Sequence, residues 1–374
     1  MTINVGIVGL SAGGGWAATA HLPYLQQSDK YTITAVCNSS TDTSRKAIEK
    51  YGLDSADAFS DVTTMCTSQK VDLVVCAVAV FSHYELIKPA IEAGKDVYVE
   101  WPLCATTKEA EEIQQLAKKK GVRTIIGLQG CVSHVLTTLE DIIKSGKIGT
   151  PLVTHISGSA GTGETGTRLA ERYQYFKDRD IEGVTGQVML SIYIGHTLEP
   201  LIRLLGQPTE VSAQLKTTWP IVDVFSADNK LLASGVKKTA DDYASLQGTL
   251  ASGVKYAYNI RGGEAFDDGE GLVWDIIGDK GQIRLNGSSI MLNLGATDFK
   301  IRVKDYESNR IEVAKLHQHL DLPLAAQNVG RLYENFADGK TVPTFDDAVR
   351  LHQFLDAIFL SASKGGTQEF LSNN

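Results

Sequence analysis

Positive charge is in short supply in this chain. Its 374 residues carry 36 lysines and arginines against 44 aspartates and glutamates, a formal charge of -8. That balance argues against direct nucleic-acid binding through a basic face and against attraction to an anionic membrane surface. Cysteine is sparse as well: Cys37, Cys66, Cys76, Cys104 and Cys131 are the full set. Their number is odd, no two form a C-x-x-C pair, and several sit in apolar runs. Neither a disulfide framework nor a zinc site is expected from them; they read as reduced, buried thiols. Long apolar runs are missing too. The longest, Leu73 to Phe81, is far too short to span a bilayer. The chain opens directly into a strand, without a basic segment and a signal-like apolar core, so a soluble, cytoplasmic protein is expected. There is no internal repeat and no low-complexity tract. His317 and His319, two residues apart, are weak evidence for a metal, and none is expected.

What is present is organised around Ile3 to Tyr24. Val5, Ile7 and Val8 read as a buried parallel strand. A glycine cluster follows at Gly9, Gly13, Gly14 and Gly15, and Trp16-Ala17-Ala18-Thr19-Ala20 reads as the first turns of a helix. Strand, glycine turn and helix N-terminus together form the arrangement that receives a dinucleotide pyrophosphate, because the glycines admit the phosphates and the free N–H groups face the anion. The fingerprint is incomplete. A strict G-x-G-x-x-G from Gly9 needs glycine at position 11, where Ser11 stands; Gly14 meets the third place.

The rest of the first third repeats strand and helix. Tyr31 to Cys37 reads as a strand ending in Asn38-Ser39-Ser40, and Thr41 to Tyr51 as a helix. An NAD-specific site carries an acid at the end of this strand for the ribose hydroxyls. Here the tip is small and polar and Arg45 follows, which favours NADP over NAD if Arg45 pairs with a 2′-phosphate; otherwise Arg45 is a solvated charge. Val71 to Val78 is apolar without alternation, as in a central parallel strand. Ser82 to Ala93 reads as a helix, with His83 as a capping or packing residue at its start. Asp96 to Glu100 and Val122 to Leu128 read as strands around a charged helix, Thr106 to Lys120. This alternation means a doubly wound parallel sheet.

Val132 to Ser145 reads as a helix and Leu152 to Ile156 as a strand. Gly158 to Thr167 reads as a flexible cleft-lining loop, with Tyr173 and Tyr175 beyond it as possible ligand contacts. The helix Val188 to Leu205 has apolar positions at helical spacing. From Thr209 to Lys315 the pattern alternates, with β-branched runs that include Ser289 to Leu294, and Gly253, Gly262-Gly263, Asp279-Lys280-Gly281 and Asn286-Gly287 punctuate it as turns. An open, mainly antiparallel sheet is expected there. Residues 217–240 are expected as a pocket loop. Helices Ala325 to Phe336 and Phe345 to Ser363 close the chain. The expected organisation is a dinucleotide-binding Rossmann domain over 1–130 and an α+β domain over 131–374, about two domains for this length.

Several segments together resemble the Gfo/Idh/MocA family: the glycine loop with His21-Leu22-Pro23, Phe81-Ser82-His83-Tyr84-Glu85, Ala93-Gly94-Lys95-Asp96-Val97 and Val99-Glu100-Trp101-Pro102-Leu103. The resemblance implies an NAD(P)-dependent oxidoreductase of sugars, polyols or other hydroxyl or carbonyl compounds, with its second sheet forming homodimers or tetramers. It implies cofactor-binding residues at Gly9, Ser11, Ala12, Gly13, Gly14, Gly15, Trp16, Ser39, Ser40, Arg45, His83, Glu100, Trp101, Pro102 and Gln129. It also marks two departures. The family's Glu-Lys-Pro carries a proton-transferring lysine where this chain has Trp101, which offers no amine. The family's Asp four residues before a cleft histidine is Ile192 here, although His196 is kept. His196 is then the expected proton-transfer residue. Tyr193 and Glu199 lie three positions either side, Tyr193 as a substitute donor and Glu199 either orienting the imidazole or beginning the turn at Pro200. These departures, with Gly15-Trp16-Ala17 and Gly195-His196-Thr197, resemble a fungal branch in which one member binds a dinucleotide yet regulates a transcription activator. A non-enzymatic NAD(P)-sensing regulator with a transcription-factor partner is the alternative expectation.

Overall fold

The computed structural model describes residues 2–160, 166–171, 177–178, 188–266, 270–294, 298–366 and 369–370. The chain divides into two compact units, Met1–Val132 with His319–His352, and Ser133–Gln318 with Gln353–Asn374.

In the first unit β1 (Ile3–Val8), β2 (Tyr31–Cys37), β3 (Asp57–Phe59), β4 (Leu73–Cys76), β5 (Asp96–Glu100) and β6 (Thr124–Gly127) make one parallel sheet in the order β3-β2-β1-β4-β5-β6. Val5, Ile7, Leu73, Val74 and Val75 are wholly buried, which is why these strands carry no alternation. Helices α1 (Leu22–Gln27), α2 (Thr41–Tyr51), α3 (Val62–Thr67), α4 (His83–Glu92) and α5 (Thr107–Lys120) connect them. Their ends are written in the local sequence. Ser40, Asp61 and Thr106 accept the backbone N–H three residues on, and Gly52 and Gly121 close α2 and α5 in the left-handed conformation. The strand order reverses between β1 and β4, and a ligand crevice opens at such a switch point.

The sequence predicts an α-helix straight after the glycine loop. Instead Ala17–His21 form a π-turn that runs into α1. Pro23, in the first turn of α1, has no N–H to donate and its ring crowds the carbonyl four residues back; the wider turn accommodates it.

The second unit begins with α6 (His134–Lys144), β7 (Pro151–Ser159), β8 (Arg168–Ala170) and α7 (Val188–Leu205). Strands β9 (Pro208–Lys216), β10 (Ile221–Phe225), β11 (Leu231–Lys237), β12 (Tyr243–Leu250), β13 (Lys255–Arg261), β14 (Leu272–Gly278), β15 (Gly281–Gly287), β16 (Lys300–Asp305) and β17 (Ile311–Val313) follow, and β18 (Glu369–Phe370) ends the chain's order. A nine-stranded sheet runs β17-β16-β15-β14-β7-β13-β12-β9-β18, antiparallel throughout except where β13 lies parallel to β7. One face buries Ile156, Tyr258, Leu246, Trp274 and Ile283. The other presents polar side chains such as Gln247, Asn259 and Arg284. Thr197 hydrogen-bonds Tyr258 and ties α7 to this sheet.

Two expectations are corrected here. Residues 217–240 are not a loop: β10 and β11 pair as a hairpin beside β8 in a three-stranded sheet, and Asn229, with φ 65, takes the left-handed place in its turn. Ser289 to Leu294 is not a strand; it turns back on itself, with Leu292 N–H donating to Ile290 O, and so buries Ile290 and Leu292 without a partner strand. A buried ion pair closes this region, Lys238 to Asp242 at 2.6 Å, and Asp242 also accepts from the backbone of Thr218 and Trp219.

Helix α8 (Leu324–Ala337) falls inside 131–374 but is part of the first unit. Tyr333 explains this. Its ring meets those of Tyr24, Tyr31 and Tyr98 with centroids 5.1–5.5 Å apart, and its backbone carbonyl accepts from Tyr31. Lys30 adds ion pairs to Glu334 and Asp338. Helix α9 (Phe345–Ser363) contributes residues to both units.

Candidate functional site

At the switch point of the parallel sheet lies a cleft of about 690 Å³. Gly9, Ser11, Ala12 and Gly13 form one wall, and Asn38 and Ser39 at the end of β2 form another. Val62, Val78, Leu86 and Pro89 supply an apolar surface, while Thr43, Lys46, Asp61, Thr63 and Glu85 give a polar rim.

Gly9 is required by space as well as by conformation. Its φ is +96°, and a Cβ there would lie 2.6 Å from Val78 Cγ1 and 2.8 Å from the Ala77 carbonyl. Gly14 and Gly15 also have positive φ, at 96° and 115°. The longer loop is braced. Ser11 Oγ accepts from Gly13 N–H at 3.0 Å, Asn38 Nδ2 donates to Leu10 O at 2.8 Å, and Tyr51 OH donates to Ser11 O at 2.8 Å. Lys50 Nζ donates to Ala12 O. Loop and crevice fit a dinucleotide: a backbone cradle that a side chain would fill stands beside an apolar slot and a polar rim. Cys37 at the cleft is inert, because burial pushes its thiol up to about 11.

Of the expected cofactor residues, Gly9, Ser11, Ala12, Gly13 and Ser39 line this cleft. Gly14, Gly15 and Trp16 continue the loop without lining it. Ser40 is committed to capping α2 with Thr43. Arg45 is exposed and does not line the cleft; Lys46, also exposed, does.

The remaining members form a separate, largely buried cluster at the end of β5. Glu100 accepts from Gln129 Nε2 and pairs with His21 Nε2, both at 2.9 Å, and His21 Nδ1 meets Tyr333 OH at 2.7 Å. Trp101 is 5% exposed, and its ring packs 4.8 Å from that of His352. Burial lowers His352 to about 4. His83 is a structural staple, as its position at the start of α4 suggests. Its Nδ1 lies 3.0 Å from Pro102 O and 3.2 Å from Leu103 O, and its Nε2 lies 3.1 Å from Val78 O. Burial holds its pKa below the usual range.

His196, Tyr193 and Glu199 are buried on α7 of the second unit. Tyr173 and Tyr175 lie outside the described residues. Sequence reasoning missed Thr43, Lys46, Asp61, Thr63, Glu85 and Leu86. A signal existed for two of them: with Ser40 as N-cap, positions 43 and 46 share a helix face. Among the described residues no cluster of His, Cys, Asp and Glu could hold a metal ion, and no helix is long and apolar enough to cross a membrane.

A six-stranded parallel sheet with a glycine loop at its switch point, joined to an α+β unit with a large, mostly antiparallel sheet, defines a two-domain protein of the NAD-binding oxidoreductase fold. Residues 3–128 match the oxidoreductase family with the NAD-binding Rossmann fold, and residues 135–287 match the Gal80p C-terminal domain. Residues 3–128 are thus a Gfo/Idh/MocA-type NAD-binding domain. It is 28% identical to the galactose/lactose metabolism regulatory protein GAL80 of Saccharomyces cerevisiae, over 98% of this chain and 94% of that protein. It is 27% identical to the dehydrogenase aclE of Aspergillus oryzae, over 97% of each. The crystal structure of a super-repressor mutant of Gal80p from Saccharomyces cerevisiae matches with a TM-score of 0.89 and 27% identity, over 100% of this chain and 98% of that one.

Proposed function

We propose that the chain is an NAD(P)-dependent oxidoreductase that transfers hydride to or from a sugar, polyol or other hydroxyl or carbonyl small molecule. The observation that carries this reading is the cleft of about 690 Å³ beneath a glycine loop whose first position admits no side chain. The likeness to the dehydrogenase aclE, over 97% of both chains, supports it. A bound nicotinamide supplies the hydride chemistry. The chain's own residues hold the pyrophosphate at the loop and move the proton, with His196 as the transfer group and Tyr193 beside it. Trp101 offers no ammonium where the family has lysine, and the loss of one acid–base group slows such a reaction by ~10²–10⁴-fold without forbidding it. NADP is the favoured form, since Asn38, Ser39 and Ser40 present no carboxylate to a ribose 2′ position. The second sheet is the proposed face for a homodimer or tetramer.

One observation favours a second reading. Trp101 is buried against His352, so that position contributes nothing titratable to a substrate. A non-enzymatic, NAD(P)-sensing regulator that binds a transcription-factor partner needs no proton relay, and the likeness to GAL80 supports it.

Absorbance at the reduced-nicotinamide band separates the two. The protein is mixed with NADP or NAD and a panel of sugars, polyols and alcohols, and with the reduced forms and carbonyl compounds. Turnover is the expected result. Saturable dinucleotide binding with no turnover anywhere in the panel would overturn the oxidoreductase reading in favour of the regulator.

A further inference from the structure

We propose that Lys46 is the residue that reads the 2′-phosphate of a phosphorylated dinucleotide, and that Asp42 sets how strongly it does so. The inference rests on the dinucleotide reading of the cleft and names the ligand group and residues that decide its selectivity.

The cleft side formed by the end of β2 and the first turns of α2 is lined by Asn38, Ser39, Thr43 and Lys46. No carboxylate stands at the strand tip, so nothing there prefers two free ribose hydroxyls. Helix geometry fixes which α2 side chains face the ligand. Thr43, Lys46 and Lys50 follow one another at spacings of three and four and share a face. Lys50 shows which way that face is turned, since its Nζ donates to Ala12 O of the glycine loop. Arg45 is about 100° away around the helix from Lys46 and lines no part of the cleft.

Two acids beside this side of the cleft already have partners. Asp61 gives its carboxylate to the Thr64 backbone N–H and hydroxyl, at 2.6 and 2.7 Å. Asp42 pairs with Lys46, Oδ2 to Nζ at 2.8 Å, on the exposed surface of α2. That pair keeps Lys46 charged, and it costs little to open because both groups are in water. A 2′-phosphate would draw the ammonium from Asp42 toward the cleft, while the Asp42 carboxylate resists by competing for it. The ratio of NADP to NAD affinity is therefore set by an i, i+4 pair on one helix.

The test is equilibrium binding of NADP, NAD and 2′,5′-ADP to the wild-type protein and to three variants, Lys46→Gln, Asp42→Asn and Arg45→Gln. Lys46→Gln should weaken NADP and 2′,5′-ADP by roughly tenfold, the worth of one charge-assisted contact, and leave NAD within about twofold. Asp42→Asn should tighten NADP severalfold. Unchanged NAD affinity certifies that the variants are folded. The proposal is overturned if Lys46→Gln keeps the wild-type ratio of NADP to NAD, or if Arg45→Gln shows the selective loss instead. Wild-type protein that binds neither dinucleotide would overturn the reading of the cleft itself, and is distinguishable because the other failures leave wild-type binding intact.

Discussion

Gly9 and His352 carry the predictions that belong to single residues. At Gly9 any side chain meets Val78 and the Ala77 carbonyl and must hold a φ of +96°. Gly9→Val should abolish dinucleotide binding in a calorimetric titration and cost ~1–3 kcal/mol of stability from backbone strain alone. Wild-type affinity in that variant would refute the cradle. His352 is buried beside Trp101, and its pKa falls to about 4 because burial disfavours the cation. Its unfolded pKa is about 6.5, so the unfolded chain binds the extra proton between those values and stability falls as pH drops through that window. The contribution, present above pH ~6.5 and lost by pH ~4, is of order 3 kcal/mol. His352→Leu should flatten this part of the profile in urea titrations run across the window; an unaltered acid slope would assign it to other groups. His83, also pushed down by burial, adds in the same direction. At this scale the glycine loop was legible, because Gly9 and Gly14 keep their places. Arg45 is exposed and lines no part of the cleft, whereas Lys46, the next residue of the helix, does.

The buried pair Lys238–Asp242 belongs to the scale of elements, since it joins the end of β11 and the start of β12 to the segment after β9. Lys238→Met leaves the buried Asp242 carboxylate, among the described residues, with the Thr218 and Trp219 backbone N–H groups, and the expected loss is ~3–5 kcal/mol in a denaturant midpoint. A change below about 1 kcal/mol would mean that the pair does not hold these elements together. Most elements of the first unit were legible, because continuous apolar strands and capped helices alternate there. Three features were not. The π-turn before α1 arises from Pro23 acting four residues back, which periodicity does not register. The hairpin of β10 and β11 is not legible as strands, because its outer strand is exposed along most of its length and shows no alternation of apolar and polar residues. Ser289 to Leu294 alternates like a strand but buries its apolar residues by turning, a choice made by the packing around it.

On the scale of the whole chain, two units with separate cores share the work proposed for them: one holds the cleft, and the other carries His196 on α7. His196→Ala should remove turnover in the nicotinamide assay while leaving NADP affinity within about twofold, because proton transfer and cofactor binding are separate tasks. Surviving activity would move the proton relay to another group, with Tyr193 next. The parallel sheet and the mainly antiparallel one were legible in the switch from apolar runs to alternating strands. The return of α8 to the first unit was not, since Tyr333 meets Tyr24, Tyr31 and Tyr98 only once the fold is made. The central claim, that the glycine-loop cleft is a dinucleotide site, is tested most directly by titrating the wild-type protein with NADP in a calorimeter. The account predicts saturable binding at a single site per chain that Gly9→Val abolishes. Absence of binding at millimolar NADP and NAD, or equal binding by Gly9→Val, would contradict it.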